Sequence, residues 1–133
     1  RDERKLAMRN FVALDASDNK REAVYIQILV KNGENLGYAL SKTKEEKYDV
    51  IMKFVNENPD VFNKMYNDKN IELKSLIEQL VLRGELVRAE HNQMLSTAEG
   101  KFIANNVTEA VAYFNNPDNK AELEAYKNKL NKA

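Results

Sequence analysis

The sequence predicts a helix-rich α+β fold of about five or six helices with one or two short β-hairpins, within a single domain over residues 1–133. Three observations support this prediction. Apolar residues recur every three or four positions along most of the chain, as on one face of a helix. Capping and turn residues separate these segments. Short runs of alternating apolar residues flank turn-forming residues, as in β-hairpins. An all-α fold is the alternative.

The N-terminal helix is predicted within residues 1–20. Its apolar residues share one face over 2–14, and the turn-forming residues at 15–19 end it. This region also carries a small excess of positive charge, which we interpret as a solvated helix face.

The segment 23–41 has two interpretations. β-branched residues alternate strictly from Val24 to Val30, which is a strand pattern. Asn32 and Gly33 follow, and this dipeptide suits a type I′ hairpin turn because both residues tolerate positive φ. The pattern therefore favours a hairpin over 23–41. A helix is the alternative, because apolar residues of the same segment also lie at helical spacings; Gly33 would then be either the helix stop or a weak point in its interior.

Three helices are predicted between residues 43 and 83. Thr43 and Glu46 have the spacing of a capping box, at the start of a helix that runs to about Glu57. Asn58 and Pro59 end that helix and begin a short second one, since proline is tolerated at the first helical position. The third helix covers 71–83 after a polar loop.

Short apolar segments follow Gly84, which suits the left-handed position after a helix end. Residues 86–90 are predicted to pair with 93–97 around a turn at His91 and Asn92. Residues 101–104 are the alternative partner strand.

The C-terminal helices are predicted within 106–131. Asn106 is the expected cap of the first of them, with Glu109 completing a second capping box. Asn116 and Pro117 are expected to start the last helix.

Three helices followed by a ribbon over residues 44–104 resemble a winged-helix module. The apolar pattern of 76–88 (LIEQLVLRGELVR), with a wing over 88–103, carries the resemblance. In that family the third helix usually docks in the DNA major groove and the wing contacts the backbone or minor groove. The resemblance therefore implies that nucleic acid would be bound by Lys69, Lys74, Arg83, Arg88, Gln93 and Lys101.

The third helix is expected to expose a mixed polar face. Its two carboxylates would repel phosphate, which argues against DNA binding by this face, while winged helices also serve as protein-docking modules. The residues expected on the exposed side are Glu72, Lys74, Ser75, Glu78 and Gln79.

Composition excludes several classes of function. Lysine plus arginine equals aspartate plus glutamate, 21 each, so the chain lacks the basic excess typical of proteins that coat nucleic acid or anionic membranes. The absence of cysteine removes thiol catalysis and cysteine-bound zinc. His91 is the one histidine, and a general base needs an oriented partner. We therefore predict no enzymatic activity, no catalytic or metal-binding residues and no cofactor.

The leading hypothesis is a non-enzymatic protein–protein interaction or assembly module of a larger phage or bacterial protein or complex. The partner would be another protein or a second copy of the chain, and the expected contact residues are Phe62, Met65 and Tyr66. A winged-helix-like nucleic-acid-binding domain is the alternative. The sequence shows no membrane-spanning run and no secretory signal, so a cytoplasmic or virion location is expected.

Overall fold

The computed structural model describes residues 2–132, which form eight α-helices and one three-stranded antiparallel sheet. This confirms the predicted helix-rich α+β class. The first six helices are α1 Asp2–Leu14, α2 Asp18–Lys31, α3 Leu36–Ala39, α4 Lys44–Glu57, α5 Pro59–Tyr66 and α6 Ile71–Leu82. The remaining elements are β1 Leu86–Arg88, β2 Leu95–Thr97, β3 Phe102–Ala104, α7 Val107–Asn115 and α8 Lys120–Asn131.

The chain divides into two compact units, and the division falls within α6, between Ser75 and Leu76. The first unit contains α1 to α5 and the start of α6. The second contains the rest of α6, the sheet and the last two helices. This division does not decide between one domain and two, so the single domain over 1–133 stays a prediction.

The first unit is a helical assembly with one continuous apolar core. Helix α1 packs against α4 and α5, and α2 packs against α4. Val24, Ile28, Ile51 and Phe62 are completely buried in this core. The Tyr25 hydroxyl donates a buried hydrogen bond of 2.8 Å to the Ala39 carbonyl, which attaches the short α3 to α2.

A buried polar pair also joins α1 to α5. Asn10 Nδ2 donates to Asn63 Oδ1 over 3.0 Å. Asn63 Nδ2 in turn donates to the backbone carbonyl and the carboxylate of Glu3, over 3.0 and 2.7 Å. Each amide is therefore satisfied within the protein, as buried polar groups usually are.

The predicted hairpin over 23–41 is wrong, and the helical alternative is correct for its first half. Residues up to Lys31 belong to α2, whose N-terminus is capped by the Ser17 side chain. Most sides of α2 are buried, so its apolar residues need not keep to one helical stripe, and the resulting run resembles an alternating strand. Gly33, at φ +69°, lies just beyond the helix end.

The helix boundaries predicted between residues 43 and 84 are confirmed, except that the third helix ends at Leu82, one residue earlier than predicted. Thr43 Oγ1 accepts from the Glu46 amide over 3.1 Å, and the Glu46 carboxylate accepts from the Thr43 amide over 2.9 Å. Helix α4 ends at Glu57, and Pro59 opens α5. Gly84 has the left-handed conformation, with φ +77°, after the end of α6.

The sheet of the second unit is a meander in the order β1-β2-β3. Leu86 lies opposite Thr97 and Arg88 opposite Leu95, which confirms the predicted pairing of 86–90 with 93–97. Residues 102–104 also pair, but with β2, so they extend the sheet and do not replace β2 as the partner of β1.

The caps of the last helices differ in part from the prediction. Asn106 caps α7 as expected, because its side chain accepts from the Glu109 amide over 2.9 Å. The Glu109 carboxylate accepts from the Asn105 amide and not from that of Asn106, so the predicted capping box is wrong. Pro117 begins a 3-10 turn, and α8 itself starts at Lys120. None of the helices within residues 2–132 is long and apolar enough to cross a bilayer.

Candidate docking groove

A solvent-open groove of about 310 Å³ lies in the first unit, where α2, α5 and α6 border one another. Each helix contributes residues at helical spacing, which places them on one face. The lining residues are Gln27, Val30 and Lys31 from α2, Val61, Lys64 and Met65 from α5, Asp68 from the following loop, and Ile71 and Lys74 from α6.

The floor of the groove is apolar. Ile71 is buried, Val61 and Met65 are half-buried against the core, and Val30 is 39% exposed. Branched aliphatic and methionine side chains present adaptable apolar surface, and methionine is frequent in surfaces that bind other proteins. The floor can therefore cover an apolar side chain from outside the chain.

The rim of the groove is positively charged. It carries three lysines against one aspartate, a net charge of +2. Lys74 Nζ lies 2.5 Å from Asp68 Oδ2. Partial burial raises the pKa of Asp68, but hydrogen bonds from Lys74 and the Asn70 amide outweigh it and lower that pKa overall. The Asp68 carboxylate is therefore held ionised and is already engaged by Lys74.

Two of the rim lysines are available to a partner. Lys31 and Lys64 are exposed, and neither forms an ion pair with another residue of the described part of the chain. They belong to different helices, α2 and α5. The groove thus combines an apolar floor with a free cation from each of these two helices.

Gln27 adds an unusual polar feature. Its side-chain nitrogen is buried and has no hydrogen-bond acceptor among residues 2–132. An unsatisfied buried donor costs about 1–3 kcal/mol. The side chain lines the groove, so an acceptor from outside the chain could reach the amide only if the side chain rotates toward the solvent.

The three predicted contact residues have different environments. Phe62 is fully buried, so it belongs to the core and presents no surface to a partner. Tyr66 is half-buried and lies beneath Lys20, whose Nζ is 3.7 Å from the ring centroid. Met65 is the member of the set that lines the groove. Of the three predicted contact residues, Met65 is thus the one that α5 presents in the groove, and its contact with a partner stays a prediction.

Three of the cations predicted to bind nucleic acid already have acidic partners. Lys74 pairs with Asp68. Arg88 contacts Glu78 through two hydrogen bonds of 2.9 and 3.2 Å. Lys101 lies 3.5 Å from Glu122 and donates to the Tyr113 hydroxyl, and that bond and Glu122 raise its pKa. The other three residues of the predicted set, Lys69, Arg83 and Gln93, are exposed.

The expected exposed face of α6 is partly wrong. Ser75 is 2% exposed, and its hydroxyl donates a hydrogen bond of 2.8 Å to the Ala23 carbonyl. Glu78 is 7% exposed and is engaged by Arg88. Glu72 is exposed as expected. Ser75 and Glu78 thus form hydrogen bonds within the protein, while Glu72 lies on the surface.

A second cleft, of about 330 Å³, lies between α2 and α4 in the same unit. It is lined by five charged residues, four of which pair with one another. Arg21 bonds to Asp18, and Lys47 lies 3.0 and 3.1 Å from the two carboxylate oxygens of Glu22. Lys44 is the fifth and forms no ion pair with another residue of 2–132, so the lining of this cleft has a net charge of +1, against +2 for the groove.

Most groove residues were missed by sequence reasoning. Val30 and Lys31 lay in the segment interpreted as a hairpin, which hid their helical spacing with Gln27. The spacing of Lys64 from Val61 was visible, but it does not reveal that the neighbouring helix leaves this face uncovered.

The described residues contain no group of three or more acidic or histidine side chains arranged to hold a metal ion. His91 is exposed in the loop between β1 and β2. Comparison with known proteins found no matching family model, no similar curated protein and no similar solved structure. The resemblance to winged-helix modules therefore stays a prediction.

Proposed function

We propose that this chain is a non-enzymatic protein–protein interaction module of a larger protein or complex, and that it docks a partner protein in the groove between α2, α5 and α6. The observation that carries the proposal is the apolar floor left open between two unpaired lysines. A surface of this kind is typical of binding sites, in which apolar contacts supply affinity and a few polar groups fix orientation.

Val30 presents apolar surface that a partner can cover. A valine 39% exposed on a helix whose other apolar residues are largely buried leaves apolar surface in water. Covering the floor with one aliphatic side chain of a partner contributes about 1.5–3 kcal/mol through burial of that side chain. Further contacts at the rim would add orientation, as polar rims do in protein interfaces.

The nucleic-acid alternative has less support from the same contacts. A cation that is already paired with a carboxylate binds a phosphate more weakly, because the existing ion pair must be broken or shared. Arg88 and Lys101 are paired in this way within the second unit. The balanced net charge of the chain adds no general attraction for a polyanion.

A peptide-display selection on the intact chain tests the proposal. A library of random peptides is selected on the unmodified protein, and the enriched peptides are measured by fluorescence anisotropy against two matched variants. Val30→Glu places a charge on the floor of the groove. Val12→Glu makes the same change at a valine of α1 that is 71% exposed and does not line the groove.

The expected result is that the enriched peptides bind the unmodified chain and the Val12→Glu variant equally, and bind Val30→Glu at least roughly tenfold more weakly, a loss of about 1.4 kcal/mol. Circular dichroism of both variants checks that the helices are intact. A selection that enriches no peptide, or peptides that bind Val30→Glu unchanged, would overturn the docking function.

A further inference from the structure

We propose that the groove recognises an acidic segment of the partner, one that combines an aliphatic side chain with flanking carboxylates. The inference rests on the proposed docking function and specifies the chemistry of the occupant. It follows from the charges around the floor. Lys74 and Asp68 pair with each other, and the two remaining charges, those of Lys31 and Lys64, are both positive.

The first step is the charge that remains free. Asp68 is the acidic residue of the lining, and Lys74 engages it directly. Lys31 and Lys64 then stay as free cations, one from α2 and one from α5. An acidic segment bound over the floor could pair with either lysine, whereas a basic segment would meet two like charges.

The second step is the position of these charges relative to the apolar floor. Lys64 lies three positions after Val61 in α5, the spacing at which helical side chains are neighbours, and Lys31 lines the groove together with Val30 of α2. Each free lysine therefore shares the groove with an apolar residue of its own helix. A partner segment that places a carboxylate beside an aliphatic residue matches this arrangement, because the carboxylate can pair with the lysine while the aliphatic side chain packs on the apolar floor.

The third step is the need for an acceptor. The buried Gln27 nitrogen lacks one among the described residues, and the side chain lines the same groove. A carboxylate or carbonyl oxygen could accept from this nitrogen after a side-chain rotation. Acidic side chains provide such oxygens in addition to the negative charge.

The experiment uses the peptides enriched by selection on the unmodified chain. The tightest peptide is synthesised in three forms: as selected, with every Asp and Glu changed to Asn and Gln, and with the same positions changed to lysine. Their affinities are measured by anisotropy at about 50 and 200 mM salt, because exposed charge pairs weaken as screening increases.

Two matched double variants complete the test. Lys31→Glu with Lys64→Glu reverses both free charges of the groove. Lys5→Glu with Lys53→Glu reverses two exposed lysines of α1 and α4 that do not line it, so the change in net charge is the same. The comparison separates local pairing from general attraction between oppositely charged molecules.

We expect the enriched peptides to be acidic, and the amide form to bind about tenfold more weakly, as the loss of two exposed ion pairs predicts. The groove reversal should weaken the acidic form by at least that factor and favour the lysine form, while the control reversal leaves the order of affinities unchanged. Peptides that are neutral or basic, yet still sensitive to Val30→Glu, would overturn this inference and leave the docking function standing. Equal effects of the two reversals would also overturn it, and a selection that enriches nothing would overturn both proposals.

Discussion

The ion pair between Glu78 of α6 and Arg88 of β1 leads to a quantitative prediction. The two side chains are 8% and 26% exposed, and two hydrogen bonds join them. Changing Arg88→Met keeps most of the side-chain length and removes the guanidinium group. The carboxylate of Glu78 then stays in a nearly dry site without its cation.

The magnitude follows from the exposure of the two groups. Removing one partner of a buried ion pair costs about 3–5 kcal/mol, because the remaining charge is left without compensation. A quarter of the Arg88 side chain is exposed, so some water can replace it next to Glu78, and the substitution also removes the buried Arg88 Nε, which has no acceptor among residues 2–132. We therefore expect the lower end of that range, about 3 kcal/mol of unfolding free energy.

The double variant Glu78→Leu with Arg88→Met provides the control. Replacing both members of a buried pair by apolar residues of similar size is often neutral or stabilising. We expect this variant to lie within about 1 kcal/mol of the unmodified chain. The single variant Glu78→Leu completes the cycle; it should also be destabilised, because it leaves Arg88 without its carboxylate, so the coupling energy of the pair should be at least about 2 kcal/mol.

Urea unfolding followed by circular dichroism measures these differences. With a slope of about 1–3 kcal/mol per molar urea, the Arg88→Met variant should lose about 1–3 M in its midpoint. A variant within about 0.5 kcal/mol of the unmodified chain, together with additive effects in the double variant, would refute the reasoning. It would mean that water already solvates Glu78 in the folded chain.

Three further predictions concern single residues. Gln27→Met removes the unpartnered buried nitrogen, so the urea midpoint should stay the same or rise; a loss above about 1 kcal/mol would show that the amide has a partner. Gly33→Ala should lower stability by about 1–2 kcal/mol in the same assay, because alanine is strained at φ +69°. The added methyl group meets no neighbouring atom, so this backbone strain is the whole expected cost, and an unchanged midpoint would contradict the backbone conformation. Backbone and side-chain hydrogen bonds from Thr43 lower the pKa of Glu46, so its contribution to stability is present above its ordinary pKa of 4.5 and is lost as the pH falls through the lowered value. Unfolding measured across this acidic range should show a shallower pH dependence for Glu46→Gln, and identical slopes would contradict the capping box.

Local signals predicted the parts of the fold that local interactions determine. Three helix ends are set by contacts within a few residues, so they can be read directly from the sequence. They are the capping box at Thr43, the proline that opens α5 and the glycine after α6. The hairpin predicted in place of α2 is wrong because the interactions that stabilise this helix are not local. Its burial on most sides comes from packing with α1, α3, α4 and α5, and sequence reading cannot weigh that burial against an alternating pattern.

The groove illustrates the same division. Met65 was expected to contact a partner because it lies on the apolar side of a short helix, and it does line the groove. Phe62 shares that side but is fully buried, since the packing of α1 against α5 covers one part of the helix and leaves another open. Helical spacing identifies which side of a helix is apolar, but not which part of that side a neighbour covers.

The buried pair Asn10 and Asn63 has a consequence for any attempt to stabilise or redesign the first unit. Two leucines there would bury more apolar surface, but apolar contacts tolerate sliding, whereas the 3.0 Å amide bond is lost if α5 shifts by one turn, about 5.4 Å, along α1. Asn63 directly precedes Lys64, so the pair fixes where that lysine and Met65 stand on the groove. With leucines at both positions, a more stable unit would be expected to keep its helices but to lose the fixed position of Lys64 and Met65 in the proposed docking groove.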